Sequence, residues 1–452
     1  MTRDPSDIQG NILRGYKHLR HVAYVFFRIA DPAAARGRLA QALTRIGTDT
    51  EWPGKSQVQL RANVAFTYQG LAKLGMQAHF DAPAYADFTQ GMAARAQTQL
   101  CDTGASGPDR WEPALRDGAD LLLTVYWHDS DAGEAAAARL REQLASGGLD
   151  ESYVQRAEMF AGRREQFGFA DGFSQPALPA PAGARQPDAA GEGVLEPWSP
   201  WRLRFRPRWR PLALGEFLLG HRDEDDVVPG DGDPLLRNGT FMVWRKLEQH
   251  ADRFERYLEC ATGDDGAKRA WLAAKIVGRW RDGTSLIDAP DRYPRRTEGK
   301  PGNAFRYAGD PAGVRCPIGA HVRRANPRDA LGWWTHRTRR HRIIRRGVTY
   351  ADPDGSRGLI FVCFNASISR QFELIQGRWL MDGDAFGLGS DRDLLVGHDD
   401  PDGKMTIQGG GRRPAQFLHP PDEPLVTTRG GYYLFVPGLS ALRRIATAGV
   451  DE

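Results

Sequence analysis

An α+β fold made of two similar halves is what this sequence predicts, on three observations. The chain has 452 residues, more than a single hydrophobic core usually spans. Apolar segments of strand length alternate with helical patterns in both halves. A Pro/Ala/Gly-rich stretch without apolar periodicity separates them. With 41% hydrophobic and 26% charged residues, the chain has ordinary globular composition and ample material for a core.

The elements follow in order. Val22 to Ile29, VAYVFFRI, is rich in β-branched and aromatic residues and reads as a buried strand. Asn63 to Gly75, NVAFTYQGLAKLG, reads as a short strand turning into a helix that stops at Gly75. Leu121 to Trp127, LLLTVYW, is a second buried strand, followed by AGEAAAARLREQLAS, a helix by propensity. This alternation matches a ferredoxin-like sandwich. Residues 177 to 210 then read as a long loop or linker. Thr240 to Trp244 is the next strand, and HADRFERYLECA places Phe254, Tyr257 and Leu258 on one helical face. Gly358 to Asn365, GLIFVCFN, and Gly431 to Pro437, GYYLFVP, are further strands, the first followed by the helical ISRQFELIQGRWL. The division expected is 1–210 and 211–452.

Charge and cysteines narrow the class. A formal charge of +4 over 452 residues does not imply a nucleic-acid partner. Cys101, Cys260, Cys316 and Cys363 are widely spaced without a CxxC pair, which fits a reducing cytoplasm. The start, MTRDPSDIQGNILRGY, has no apolar run of signal-peptide length, and no segment reaches about 18 continuous apolar residues. A soluble, cytoplasmic protein with no membrane partner is expected, with a homo-oligomer left open.

Three segments carry chemistry. QFGFADGFSQP (166–176) sets one carboxylate, Asp171, among glycines and aromatics. It suits proton transfer and equally an Asx turn before Gly172. CPIGAHVRRANPRD (316–329) offers His321, whose neutral imidazole could be an axial ligand to haem iron. Arg323, Arg324 and Arg328 behind it could pair with haem propionates, or form a solvated face. HRIIRRGVTY (341–350) ends a basic run from Arg337 to Arg346. That run reads as a solvated face, as a nucleic-acid contact, or as the source of a buried arginine stabilising charge on a breaking O–O bond. Trp333-Trp334 reads as packing or as an electron relay, and Asp223 to Asp226 as an exposed acidic loop or a cation site. No GxSxG, Walker A, GxGxxG or HExxH motif stands in a supporting context.

Taken in order, these blocks resemble the dye-decolourising (DyP-type) haem peroxidases over nearly the whole chain. FGFADGFSQP matches the family's GxxDG motif as Gly168, Asp171 and Gly172. DIQGNILRGY, GEFLLGHRDE, NGTFMVWRKLEQ, AAKIVGRWRDGTSL and VTTRGGYYLFVPGLSAL are similar to further family blocks. The resemblance implies two ferredoxin-like domains of the dimeric α+β barrel type and one haem b per chain. It implies His321 as proximal iron ligand, Asp171 as distal acid–base residue and Arg345 as distal arginine, with Arg346 the alternative register. Leu359 and Phe361 would line the distal pocket. The expected substrates are hydrogen peroxide and aromatic electron donors such as anthraquinone dyes and phenols, with an acidic optimum. A haem-binding or iron-handling protein with incidental peroxidase activity is the alternative. Two positions depart from the family pattern. Ser367 stands where many relatives carry an acid or asparagine, so the partner of the His321 ring N–H is unassigned. His221 stands where relatives often have an aromatic, in a region expected to shape substrate access.

Overall fold

The computed structural model describes residues 4–448 apart from 17, 51–59, 146, 160–163, 173, 181–188, 196–208, 294–301, 332–337, 398–401 and 412. The Trp333-Trp334 pair lies outside the described residues. In the first half, strand β1 (His21–Ile29) leads into helix α1 (Pro32–Ala42). Asp31 caps that helix by accepting from the Ala33 and Ala34 amides, and Pro32 supplies a preset first turn. Strand β2 (Leu60–Phe66) is followed, after helix α2 (Ala86–Gln99), by the fully buried β3 (Leu121–Trp127). Ser130 caps α3 (Asp131–Leu144), which returns the chain to β4 (Leu149–Glu158). The antiparallel order is β4-β1-β3-β2, the ferredoxin-like arrangement expected.

The second half repeats that plan. Strand β5 (Thr240–Gln249) runs five residues beyond the expected Trp244. It is followed by α4 (Ala251–Thr262), α5 (Gly266–Val277) and the short α6 (His321–Ala325). Phe254 and Leu258 are fully buried on α4, as their spacing predicts. A two-residue strand β6 (Ile344–Arg345) and β7 (Val348–Ala351) both pair with β8 (Arg357–Asn365). The last strand, β9 (Val426–Val436), precedes α7 (Leu439–Thr447). The order is β9-β5-β8-β6, so each half shows the same 4-1-3-2 pattern. Strand β9 also pairs with β2, through Phe435 and Phe66, and this joins both halves into one nine-stranded sheet.

The stretch after β8 is helical, but Ser369–Leu380 winds with the wide turns of a π-helix. The Glu373 amide reaches back five residues to the Ile368 carbonyl at 2.9 Å. Gly377 is required here, because a Cβ at that position would stand 2.0 Å from the Gln99 carbonyl oxygen. One apolar cluster packs between the sheet and helices such as α1, α2 and α7, a second fills the opposite sheet face, and a third surrounds α4 and α5. Among the described residues no helix is long and apolar enough to cross a membrane. All four cysteines are unbonded.

Candidate active site

A cavity of about 290 Å³ lies on the sheet face of the second half. Its sheet wall follows from strand alternation: Leu359 and Phe361 on β8 stand opposite Leu247 and Arg245 on β5, so all four point one way. The facing wall comes from α6, the π-helix and the segment around Leu395. On the π-helix Phe372, Gln376 and Leu380, spaced four apart, line it. Apolar side chains dominate, with a few polar groups converging among them. That is the lining of a small-molecule or cofactor site.

His321 lines this cavity from the start of α6. Its Nδ1 lies 2.9 Å from Asp393 Oδ2, which leaves Nε2 without a hydrogen-bond partner among the described residues. Asp393 is fixed in turn, because its Oδ1 accepts from the Leu395 and Val396 amides at 3.0 and 3.2 Å. Burial pulls the imidazolium down, but the charge and hydrogen bond of Asp393 outweigh it and the net shift is upward. Asp393 is therefore the ring N–H partner that the sequence left unassigned. Ser367 instead caps the π-helix, its Oγ accepting from the Arg370 amide at 3.3 Å.

Asp171 and Arg345 meet at the same cavity. Arg345 Nη1 stands 3.6 Å from Asp171 Oδ1, and each side chain remains about a third exposed. The Asp171 loop holds left-handed backbone at Gly168 and Gly172, both at φ +85°, where a side chain would be strained. Glu165 braces it by accepting from the Phe167 and Phe169 amides at 2.9 and 2.8 Å. Burial raises the Glu165 carboxyl above its ordinary range, those amide bonds pulling the other way. A smaller cavity of about 110 Å³ shares Glu165, Asp171, Arg345, Gly347 and Leu359 with the larger one. It continues past Tyr16, Arg20, Met159 and Arg164, an approach to Asp171 separate from the main cavity.

Arg345, the arginine expected, is the one that faces Asp171, whereas Arg346 donates to the Asn11 and Ile12 carbonyls at 2.8 Å each. Other expected residues stand elsewhere. Arg323 and Arg324 do not line the cavity. Arg323 donates to Asp310 and to the Cys316 carbonyl, and Arg324 to the Trp379, Asp382 and Asp391 carbonyls. These arginines lock His321's helix to its neighbours. Arg328 lies one step behind the cavity, stacked 3.8 Å over Phe305 and donating to Ser174 Oγ at 3.1 Å. His221 is buried against Asn238 at 2.7 Å and lines neither cavity. The acidic loop is not exposed at Asp223 and Glu224, whose buried carboxylates pair with Arg370, Arg340, Arg210 and Arg339. Among the described residues of the basic run, Arg339 and Arg340 are paired with acids rather than free.

Sequence reasoning missed Arg342, Arg245 and Gln249, which also line the cavity. Among the described residues Arg342 Nη2 and Arg245 Nε are buried without a hydrogen-bond partner, although the Arg245 guanidinium is paired with Asp102 through Nη2, so Arg342 is the cation without an acid. Burial pushes the Arg342 guanidinium down to about 9, with Arg328 adding to the effect. A buried cation lacking an anion is costly, so this wall suits a ligand with an acidic edge. Haem fits these residues: an apolar slot for the macrocycle, a free imidazole nitrogen, and Arg342 for a propionate. Among the described residues no cluster of three or more His, Cys, Asp or Glu could hold a metal ion.

Comparison with known proteins agrees. Residues 7–157 match the model of the DyP dimeric alpha+beta barrel domain, and residues 219–386 that of the C-terminal region of Dyp-type peroxidases. The chain is 28% identical to dye-decolorizing peroxidase msp1 of Mycetinis scorodonius, over 97% of this chain and 87% of that protein. It is 29% identical to the multifunctional dye peroxidase DyP2 of an Amycolatopsis species, over 97% and 95%. The solved structure of an ancestral D-type dye decolorizing peroxidase superposes with a TM-score of 0.81 at 27% identity, covering 98% of this chain and 99% of that one. The chain belongs to the DyP-type peroxidases, a family of haem enzymes, and is a peroxidase.

Proposed function

We propose that the chain binds one haem b, reduces hydrogen peroxide, and oxidises bulky aromatic donors such as anthraquinone dyes and phenols by one-electron steps. The observation that carries this reading is the Asp171–Arg345 pair, 3.6 Å apart, on the same cavity as an imidazole oriented by Asp393. Haem, when bound, supplies an iron centre that accepts two oxidising equivalents from peroxide and returns them one at a time. His321 Nε2 would hold that iron, and Asp393 would keep Nδ1 protonated so that Nε2 carries the lone pair. Arg342 would take a propionate. Asp171 would move a proton from one peroxide oxygen to the other, so that water can leave. Arg345 offsets the negative charge that develops as the O–O bond breaks. Leu359 and Phe361 keep bulk water from this step.

The division into units 1–210 and 211–452 belongs to the same reading, with Asp171 supplied by the first and His321 and Arg345 by the second. Four unbonded cysteines suit a reducing cytoplasm. The test is to purify the protein with haemin, record the Soret band, and add peroxide with a reducing dye. Dye bleaching that requires peroxide is expected. A Soret band without donor oxidation would favour the iron-handling alternative, and no haem uptake would end both.

A further inference from the structure

We infer that Gln175 is a positioning residue for the Asp171–Arg345 pair, an inference that rests on the proposed peroxide chemistry. Its side-chain Oε1 accepts from the Arg345 backbone amide at 3.0 Å, across 170 residues of sequence. Arg345 needs such a partner. Its strand β6 has two residues and pairs with β8 through Cys363 and Phe364 on one side, and so short an edge strand is held by few ladder bonds. The Gln175 amide stands in for a further strand at the position that aims the guanidinium. The same bond fixes the other member of the pair, since Gln175 lies four residues after Asp171.

The loop between them is bent at two left-handed positions, Gly172 at φ +85° and Ser174 at φ +62°. A non-glycine residue in that region is strained and persists only where its surroundings hold it. Ser174 Oγ accepts from Arg328 at 3.1 Å, and Gln175 Oε1 from Arg345. One side chain thus ties the loop carrying the carboxylate to the strand carrying the guanidinium. Gln175 lines the smaller cavity beside both, and it acts through Arg345 rather than on peroxide.

The test uses the haem-loaded full chain. Gln175→Leu removes the acceptor, and Gln175→Glu keeps an oxygen at the same reach. The Leu variant is expected to keep its Soret band and donor KM while its rate constant with peroxide falls about 10- to 100-fold, the scale of a small misplacement of a reacting group. The Glu variant should recover most of that loss. Amide hydrogen exchange at Arg345 should speed up in the Leu variant and slow again in the Glu variant, a readout independent of turnover. In an Arg345→Leu background the backbone amide still bonds Gln175, so adding Gln175→Leu should cost only the part of the loss that comes through Asp171, less than in the wild type. A wild-type peroxide rate in Gln175→Leu, or losses that multiply in the double variant, would overturn the assignment. Failure of wild-type protein to react with peroxide would instead sink the proposed function, and the exchange experiment would still report on the Gln175–Arg345 bond.

Discussion

His321 Nδ1 and Asp393 Oδ2 lie 2.9 Å apart, 72 residues separated in sequence, and the carboxylate is itself held by two backbone amides. An imidazole tied to a buried carboxylate is more basic than a free one, which enriches electron density on the metal it binds. Replacing Asp393 by Asn keeps a hydrogen-bonding side chain but removes the charge. The iron reduction potential should rise, as followed by redox titration. Asp393→Ala should also weaken haem retention about 10- to 100-fold, measured by transfer to apomyoglobin.

Asp171→Asn and Arg345→Leu should bind haem normally and slow the reaction with peroxide. The expected loss is about 10²- to 10⁴-fold for the proton shuttle and about 10²- to 10³-fold for the charge-stabilising donor. Stopped-flow spectra at the Soret band would measure both. His321→Ala should instead lose or loosen haem before any peroxide is added. Unchanged peroxide kinetics in both distal variants would remove the assigned roles.

Arg342→Leu separates cofactor binding from folding. The side chain is half-buried, and its buried Nη2 has no partner among the described residues, so its removal should leave stability without haemin unchanged or raised. Haem affinity should fall, because a propionate loses its counter-ion. Thermal melts with and without haemin give the two signs, and a loss of stability without haemin would contradict the reading.

Glu216 should make stability depend on pH. Burial raises its carboxyl from 4.5 to about 7, although Arg370 at 3.1 Å pulls the other way. Between those values the folded chain holds a proton that the unfolded chain releases, so stability falls as pH rises through the window. Relative to Glu216→Gln, the wild type should lose up to about 3 kcal/mol between pH 4.5 and 7. Urea unfolding of both proteins across that range checks it.

The sequence made the scaffold legible because its strands are apolar and uninterrupted. LLLTVYW could sit only in a core, and it forms β3 at the expected residues. The pairing of Asp171 with Arg345 was legible only through the family resemblance, because the GxxDG turn and the RRG triplet by themselves also suit an Asx turn and a solvated basic face. What pattern could not reveal was the far end of each hydrogen bond. Asp393 sits in DRDLLVG with no periodicity to distinguish it from its neighbour Asp391. Arg323 and Arg324 follow His321 directly and looked like cofactor contacts, whereas their guanidiniums serve backbone carbonyls and Asp310. Arg342 was hidden in a run of arginines whose partners come from distant loops. The π-helix was also hidden, since its composition suits an ordinary helix and tertiary packing sets its pitch.

Strand β9 lies between β2 and β5 and places Val426 at the cavity wall. During synthesis, therefore, the inner edges of both half-sheets stay open until the ribosome has passed residue 436. Open edges invite pairing with other chains, and such non-local pairing closes slowly. The Val426 edge of the cavity is likewise missing until that strand docks, so ligand uptake is expected to follow the docking of β9.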